Sequence, residues 1–365
     1  MTLSHIIAIP ARNEAEHIEA CLRSLAGQAE RVVLLVNNST DGTETLAKRE
    51  AAALGLPLHV SVQHFPAAQC TAGHARKVAL DLAAGLAPGA VLFTTDADSR
   101  VAPNWVAANL RHMEAGVDAV AGRAVIDPVD AAAIPARLHE DDARECAYGT
   151  LLDEIASVLD PDPADAWPRH TEHSGASICV SARAFQQAGG VPDIPLGEDR
   201  GLFAALRRID KVIRHAPEVT VTVSGRIVGR ASGGMADTIR RRLDAPDPFL
   251  DDALEPAAAA GRRAWLRALA RAAWRTPDPE RLAELADELC LAPAGLRTVL
   301  RTRFFGQAWE RLEESCAVLA RSRVPASDVL AETERARELL SSLRLSSARR
   351  TDPAGRSQPA DAQAA

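Results

Sequence analysis

Two carboxylates stand one residue apart, directly after an apolar run, in the segment VLFTTDADSRVAPNW at residues 91–105. The run predicts a strand, and side chains two positions apart on a strand point to the same side, so Asp96 and Asp98 can both reach one cation. Magnesium and manganese ions prefer oxygen ligands and often leave several coordination positions to substrate phosphates. The spacing therefore favours a metal site for a phosphate-bearing ligand, although two acids at the start of a loop can also simply form a turn.

Polar side chains also follow the three strands that precede this one. The first predicted strand ends in IPARNEAEHI, the second ends in NNSTDGT, and the third leads into AGHARKVALDLA. Each stretch alone has an ordinary explanation, since such residues cap helices and form turns. Helix starts that carry cations also bind phosphate. Acids, amides and cations at four consecutive strand ends therefore favour a ligand site at this edge.

The elements that must position these residues alternate regularly over the first 130 residues. Helical patterns separate short apolar runs, which predict strands at 5–10, 31–38, 58–65, 90–98 and 118–127. Because such runs are buried on both faces, they indicate a parallel sheet. The predicted fold class is α/β, a doubly wound, mostly parallel sheet followed by a helical C-terminal region. Ligands of such sheets bind at the carboxyl ends of the strands, where the polar stretches lie.

The second half of the chain changes character near residue 235. Before it, residues 131–170 predict a partly helical insertion, and KVIRHAPEVTVTVSG (211–225) predicts two short strands around Pro217. Residues 257–344 are rich in Ala, Arg, Leu and Glu at helical spacing, which predicts four or five helices. We therefore expect an α/β domain over 1–234, a helical region over 235–345 and a disordered tail over 346–365.

The composition is that of a globular protein. Apolar residues make up 47% and charged residues 25% of the chain, and no apolar run approaches the length of a membrane span. The formal net charge of −7 gives no reason to expect nucleic-acid binding. Six scattered cysteines and a start unlike a signal peptide predict a cytoplasmic protein with free thiols and no integral membrane association.

The ordered motifs resemble those of family 2 glycosyltransferases, which have the GT-A fold of the nucleotide-diphospho-sugar transferases. The resemblance covers about residues 4–225 and rests on the order of IPARNEAEHIEACLRSL, VNNSTDGT, AGHARKVALDLA, TTDADSRVAPNW and GGVPDIPLGEDRGLFAAL. It implies that residues 1–234 form a catalytic domain. It also implies the transfer of a sugar, with Mn²⁺ or Mg²⁺, from a nucleotide-sugar donor to the hydroxyl of an unknown small-molecule or glycan acceptor.

The resemblance also implies roles for single residues. Asp98 and Asp96 would bind the metal and the donor diphosphate, and His215 would be a third metal ligand unless it is an ordinary strand-end histidine. Asp199, beside Glu198, would be the general base of an inverting transfer, although acids in a first helical turn also favour the helix dipole. The residues expected to border the nucleotide sugar are Pro10, Arg12, Glu14, Asn37, Asp41, Arg76, Lys77 and Asp96.

Three further features leave choices open. The family usually has acids where this chain has Asn37 and Asn38, so UDP is only the default nucleotide. The basic segment VSGRIVGRASGGMADTIRRRL (223–243) either closes over the diphosphate, with Arg230 contacting the donor, or forms a solvated basic face. His173 and Ser174 are weaker candidates for the acceptor pocket.

Other functions also fit parts of the pattern. One is a retaining GT-A glycosyltransferase of the glucosyl-phosphoglycerate type, which would not need Asp199 as a base. Another is a sugar-1-phosphate nucleotidyltransferase, although IPARNE lacks the glycine-rich loop of those enzymes. A third is a non-catalytic carbohydrate-binding protein whose C-terminal helices carry the function. The apolar faces of those helices can pack on the catalytic domain or form a homodimer.

Overall fold

The structure is a computed structural model in which residues 3–226, 229 and 234–351 are described. Within these residues the strands are β1 (His5–Ala11), β2 (Val32–Asn37), β3 (Leu58–Gln63), β4 (Val91–Thr94), β5 (Arg100–Val101), β6 (Ala119–Ile126), β7 (Ile178–Ser181) and β8 (Ile213–Val223). The α-helices are α1 (Ile18–Leu25), α2 (Thr43–Leu54), α3 (Ala72–Leu86), α4 (Trp105–Glu114), α5 (Pro128–Ala133), α6 (Ala136–Leu159), α7 (Ala182–Ala188), α8 (Glu198–Arg208), α9 (Met235–Asp244), α10 (Ala257–Arg275), α11 (Pro279–Glu288), α12 (Pro293–Leu300), α13 (Phe305–Ser315) and α14 (Val329–Thr351).

The eight strands form one sheet in the order β3-β2-β1-β4-β7-β6-β8-β5. The first four strands pair in parallel, as the sequence predicts. Beyond β4 the sheet is mixed, because β7 runs antiparallel to both β4 and β6, and β5 runs antiparallel to β8. The α/β class and the helical C-terminal region are confirmed, whereas the parallel character is confined largely to the N-terminal half.

Both faces of the central strands are buried, which explains their unbroken apolar runs. Along β1, Ile7 and Ile9 pack with helices α1, α2 and α4 on one face of the sheet. Ile6 and Ala8 face the other side, where they pack with α3, α7 and α8. Each fully buried isoleucine contributes about 1.5–3 kcal/mol to folding. The sheet is therefore a rigid platform for the loops at its carboxyl edge.

The strand that leads to the paired aspartates is shorter than the sequence predicts. β4 ends at Thr94, and Asp96 and Asp98 lie in the turn that follows. The turn is closed by the N–H of Ser99, which donates to the carbonyl of Asp96 at 3.1 Å. The prediction that strand alternation orients the two carboxylates was therefore wrong, since the turn sets their directions.

The insertion over 131–170 is more ordered than the sequence indicates. Most of it is the single long helix α6, which packs against α10 and α14 of the C-terminal region. Tyr148 of α6 is fully buried there, and its hydroxyl donates to the carbonyl of Glu255 at 2.5 Å. The helices α10 to α14 agree with the four or five expected over 257–344. The C-terminal helices thus share a core with a helix from the N-terminal segment.

Two boundaries differ from those expected. β8 is one strand, not two, because the pairing with β6 shifts between Ala121 and Arg123 and leaves Pro217, which has no N–H to donate, outside the ladder. α14 continues to Thr351, inside the segment 346–365 that the sequence predicts to be disordered. Residues 352–365 lie outside the described part. In the part of the chain that is described, no helix combines the length and the apolar character that a membrane span requires.

Candidate functional site

Arg76, in the first turn of α3, is the centre of the polar cluster at the carboxyl edge of the sheet. Its side chain is buried, and its guanidinium forms ion pairs with Asp96 at 2.8 Å and with Glu198 at 2.9 Å. It also donates to the hydroxyl of Thr94 and to the carbonyl of Gly175. Burial alone would lower the pKa of Arg76, but the two carboxylates raise it above its ordinary value. This cation therefore ties the turn after β4 to the start of α8.

Gly175 connects Arg76 to Asp199. Its carbonyl accepts from Arg76 at 2.7 Å, and its N–H donates to Oδ2 of Asp199 at 2.9 Å. A Cβ atom at Gly175 would stand 2.3 Å from the Arg76 guanidinium, so no other residue fits without displacing that group. Oδ1 of Asp199 accepts from the N–H of Arg200 at 2.7 Å. Desolvation nevertheless raises the pKa of Asp199 above its ordinary value.

A second cation, Arg226, lies against Asp98 and Glu14. Its guanidinium forms a two-pronged ion pair with the buried carboxylate of Glu14 and contacts Oδ2 of Asp98 at 3.0 Å. Desolvation and the charges of Asp96 and Glu14 raise the pKa of Asp98 to about 7, against the opposing effect of Arg226. Three carboxylates thus gather around one point, and a positive charge stabilises them there.

The donor groups at this point fit a hard divalent cation. Oxygen atoms of Asp98, Asp96 and Glu14 surround the Arg226 guanidinium, which supplies the positive charge that a metal would supply. Within the described residues, no set of three or more His, Cys, Asp or Glu side chains forms a closed metal cage. A metal here would therefore be held by one or two carboxylates and by ligands from a bound substrate, as is usual for Mg²⁺.

The loops after β1 and β2 are fastened to one another. The carboxylate of Asp41 accepts from the N–H of Thr43 and from the N–H of Ala15, at 3.1 and 3.0 Å. Asn13 has a left-handed backbone with φ of 55°, and its side-chain oxygen accepts from the N–H of Thr40 at 2.8 Å. Asp41 is therefore a structural clamp between the two loops, beside the predicted nucleotide site.

The other residues expected near the nucleotide lie along the same edge. Pro10, near the end of β1, is partly exposed, and Asn37 is the buried last residue of β2. Arg12 is partly exposed and has no carboxylate partner among the described residues. The structure thus brings Arg12 and Glu14 to one loop, where Arg12 keeps a guanidinium available to an anion.

Two predicted phosphate-binding cations have other partners. Lys77 is turned away from the aspartates, since its ammonium pairs with Asp81 one turn further along α3 at 2.5 Å. Arg76 is saturated by protein acceptors, so it organises the site and has no free edge for a phosphate. Helix periodicity explains the difference, because adjacent residues on a helix point about 100° apart. Arg230 lies outside the described residues, as does most of the surrounding glycine-containing segment.

The predicted metal ligand His215 was wrong. Its Nδ1 atom lies 2.8 Å from Oδ2 of Asp165, and its Nε2 atom lies 3.1 Å from Nε2 of His173. The sheet register pairs His215 with Ala121, whereas the strand after the aspartates pairs with Thr222. His215 and the aspartates therefore lie at different points along β8, on the order of 15–20 Å apart.

Sequence reasoning missed four residues that organise this site and its surroundings: Gly175, Asp165, His170 and Arg207. Asp165 accepts from both the backbone and the ring of His215, and His170 is buried with neither ring nitrogen hydrogen-bonded. The segment HTEHSGAS showed polar residues before a strand, and that was the available signal for two of the four. Their roles depend on contacts between distant segments, which spacing does not reveal.

Residues 6–154 match the model of the family described as "Glycosyl transferase family 2". The matched range runs from β1 into α6. It includes Arg76, Asp96 and Asp98 and ends before Glu198 and Asp199. A comparison with curated proteins found no match.

Several solved structures resemble this chain at low sequence identity. One is the mannosyltransferase PcManGT from Pyrobaculum calidifontis in complex with GDP-Man and Mn²⁺, at 17% identity, covering 96% of this chain and 89% of that chain, with a TM-score of 0.43. Another is S. aureus TarS 1-349 in complex with UDP-GlcNAc, at 16% identity, covering 94% and 92%, with a TM-score of 0.47. A third is glucosyl-3-phosphoglycerate synthase from Mycobacterium tuberculosis, with Mn²⁺, UDP and phosphoglyceric acid, at 18% identity, covering 67% and 78%, with a TM-score of 0.38. Similarities at this level assign no substrate to the present chain.

Proposed function

Because residues 6–154 belong to glycosyl transferase family 2, we propose that this protein transfers a sugar from a nucleotide-diphosphate donor to a hydroxyl group of an acceptor. The glycosyltransferase class follows from the family, and the mixed eight-stranded sheet is the GT-A architecture expected for it. The finer proposal is an inverting reaction with Asp199 as the general base and with Mn²⁺ or Mg²⁺ at Asp98 and Asp96.

The observation that carries this proposal is the double ion pair of Arg76. One end of the guanidinium binds Asp96, in the turn suited to a metal and a diphosphate, and another binds Glu198, the neighbour of Asp199. Because Arg76 is buried and fully paired, the distance between the two acidic elements is fixed. Such an arrangement serves a reaction in which the donor diphosphate and the acceptor hydroxyl must meet at neighbouring points.

In the proposed step, the carboxylate of Asp199 takes the proton of the acceptor hydroxyl as the hydroxyl oxygen bonds to the anomeric carbon. The bond from that carbon to the donor diphosphate breaks, and its electron pair leaves with the nucleoside diphosphate. The raised pKa of Asp199 makes it a stronger base than an ordinary aspartate. A divalent metal bound at Asp98 and Asp96 would neutralise the charge on the departing diphosphate.

The same proposal gives the loops after β1 and β2 to the nucleotide. Pro10 and Asn37 end adjacent strands and would border the base and ribose. Arg12 would supply a positive charge to the diphosphate, since it has no carboxylate partner among the described residues. Asp41 holds the two loops together and would act by positioning them. UDP is the default nucleotide, and GDP is the alternative to be tested.

The decisive experiment is calorimetric titration of UDP and GDP, each with Mn²⁺, with Mg²⁺ and with a chelator. We expect metal-dependent binding of one nucleotide, weakened roughly 10–100-fold in Asp98→Asn because a charged ligand is lost. Asp81→Asn is the matched control, since Asp81 pairs with Lys77 on the outer side of α3. Equal binding with and without metal, or equal weakening in both variants, would contradict the proposed donor site.

The stereochemistry of the product tests the role of Asp199. Once a donor sugar is identified, the anomeric configuration of the product can be read by proton NMR. Inversion is expected from direct attack by the hydroxyl, whereas retention would favour the glucosyl-phosphoglycerate type of reaction and would remove Asp199 as the base. Exchange of label between a nucleoside triphosphate and a sugar 1-phosphate would instead identify a nucleotidyltransferase. The cytoplasmic location and the homodimer stay predictions from the sequence.

A further inference from the structure

Arg207, on the last turn of α8, is a cation without a counter-ion. Its side chain is exposed, and its Nη1 atom lies 3.3 Å from Nε2 of His173. No carboxylate oxygen of a described residue lies within ion-pair distance of it. Desolvation, followed by the charge of Arg267, lowers the pKa of Arg207. A guanidinium that is open to solvent and yet partly desolvated lies in a concave part of the surface, where an anion can approach it.

Further arginines make the surroundings of Arg207 more positive. Arg267 and Arg271, on the facing helix α10, share the single carboxylate of Asp160. The charge of Arg321 also acts on Arg207 and lowers its pKa further. Each of these cations raises the cost of leaving Arg207 unpaired, and a bound anion would remove that cost. The planar guanidinium is well suited to a phosphate or a carboxylate, because it donates two parallel hydrogen bonds.

The position of Arg207 connects it to the proposed catalytic base. Asp199 and Arg207 lie on the same helix, eight residues apart, which corresponds to about 12 Å along its axis. The loop over 173–175 runs beside this helix, with His173 at Arg207 and the N–H of Gly175 at Asp199. An acceptor that lies along the loop can therefore present a hydroxyl at Asp199 and a second group, several bonds away, at Arg207.

The backbone at Arg207 is held firmly by the C-terminal region. Both oxygens of Asp210 accept from backbone N–H groups at the start of α13, those of Phe305 and Gly306, at 2.6 and 2.7 Å. A Cβ at Gly306 would stand 1.9 Å from the carbonyl oxygen of Arg207, so α13 approaches α8 as closely as only glycine allows. This contact positions Arg207 opposite Arg267 before any ligand binds.

We propose that Arg207 and Arg267 form an anion subsite for the acceptor, which is therefore a molecule that carries a phosphate or a carboxylate in addition to the hydroxyl that is glycosylated. This inference rests on the proposed function and adds the chemical class of the acceptor to it. The positive charge comes from the helical C-terminal region as much as from the α/β domain. That gives the C-terminal helices a part in acceptor recognition.

The test uses the whole chain and arginine modification by phenylglyoxal, followed by peptide mass spectrometry. Inorganic phosphate and acetate are the anionic probes, and glycerol is the neutral one. Arg183 on α7 is the control, because it is exposed and has no carboxylate partner among the described residues. We expect an anion to slow modification of Arg207 about fivefold or more relative to Arg183, and glycerol to have no effect. Protection by phosphate alone or by acetate as well would assign the group, and equal rates at both arginines would overturn the subsite.

A second measurement separates this inference from the proposed function. Arg207→Gln and Arg183→Gln are compared for anion-induced rise in melting temperature and for metal-dependent nucleotide binding. The subsite predicts that Arg207→Gln abolishes the anion effect and leaves nucleotide affinity unchanged, while Arg183→Gln changes neither. Nucleotide binding without any anion effect would overturn the subsite alone. An anion effect without nucleotide binding would overturn the transferase function and leave only an anion site.

Discussion

At the scale of single residues, the proposed chemistry depends on Asp199 more than on any other side chain. Two backbone N–H groups hold its carboxylate, and desolvation raises its pKa. Asp199→Asn keeps the shape and the acceptor oxygen but cannot take a proton. We expect kcat to fall by roughly 10²–10⁴-fold, with nucleotide affinity unchanged. The measurement is steady-state turnover beside calorimetric donor binding.

The acid side of the pH profile carries a second sign of the same residue. Since the pKa of Asp199 is raised, its base form is lost at a higher pH than for an ordinary aspartate, and turnover should fall as the pH drops through that value. Asp81→Asn should keep both the rate and the profile. Turnover of Asp199→Asn close to that of the unaltered protein would exclude Asp199 as the base.

Arg226 occupies the position that a metal would neutralise. It pairs with Glu14 and Asp98 across 212 residues of sequence. Replacing it by glutamine removes a positive charge from the three carboxylates there, so we expect Arg226→Gln to bind Mn²⁺ about tenfold more tightly in the absence of nucleotide. Calorimetric titration with Mn²⁺ checks this.

The matched control for Arg226 is Arg240→Gln. Arg240 pairs with Asp237 on the exposed face of α9, away from the aspartates, and its loss should leave Mn²⁺ affinity unchanged. Weaker Mn²⁺ binding in Arg226→Gln would mean that Arg226 supports the metal site and does not compete for it.

At the scale of elements, the loop over 173–175 is the narrowest part of the design. It is enclosed by α3, α8 and the end of β7, and Gly175 contacts groups from two of these elements. Gly175→Ala would push the Arg76 guanidinium aside, since the added Cβ would stand 2.3 Å from it. We expect a loss of about 1–3 kcal/mol in the free energy of unfolding, together with a loss of turnover. Urea unfolding and activity assays measure the two effects.

A second glycine provides the comparison for that variant. Gly27, in the turn after α1, has a left-handed backbone but nothing within 4 Å of an added Cβ. Gly27→Ala should cost stability through its backbone alone, and turnover should persist. If Gly175→Ala were as stable and active as the unaltered protein, the contact of Arg76 with the loop would not organise the site.

At the scale of the whole molecule, the histidine cluster couples stability to pH. Burial lowers the pKa of His170 to about 4, and neither of its ring nitrogens has a hydrogen-bond partner. The folded state therefore favours neutral His170, while the unfolded chain takes up a proton near pH 6.5. This contribution to stability is complete above pH 6.5 and is lost as the pH falls towards 4, by up to roughly 3 kcal/mol.

The check compares His170→Leu with the unaltered protein by urea unfolding at pH 7.5 and pH 4.5. The variant should lose less free energy of unfolding between the two pH values, because it has no proton to take up at that site. His64→Leu is the control, since His64 is exposed and its replacement should leave the pH dependence as it was. Parallel losses in His170→Leu and in the unaltered protein would show that another group dominates.

The sequence by itself determined the α/β class, the order of the first strands and helices, and the edge at which the polar residues collect. These follow from local properties, namely apolar runs, helical spacing and the rule that parallel strands end at one edge. Asp96, Asp98 and Arg12 were found in this way, each from its place after a strand. The same local signals fixed the helical character of residues 257–344.

Only the tertiary structure decided which of these residues act together. Arg76 reaches Glu198 across 122 residues, and Arg226 reaches Glu14 across 212, so no spacing rule could pair them. His215 was misplaced because its position depends on the register between β8 and β6, which shifts near Pro217. Arg207 gained its meaning from α10 and α13, which bring cations to it and no carboxylate. Burial and charge at a site are sums over distant segments, and only the folded chain performs that sum.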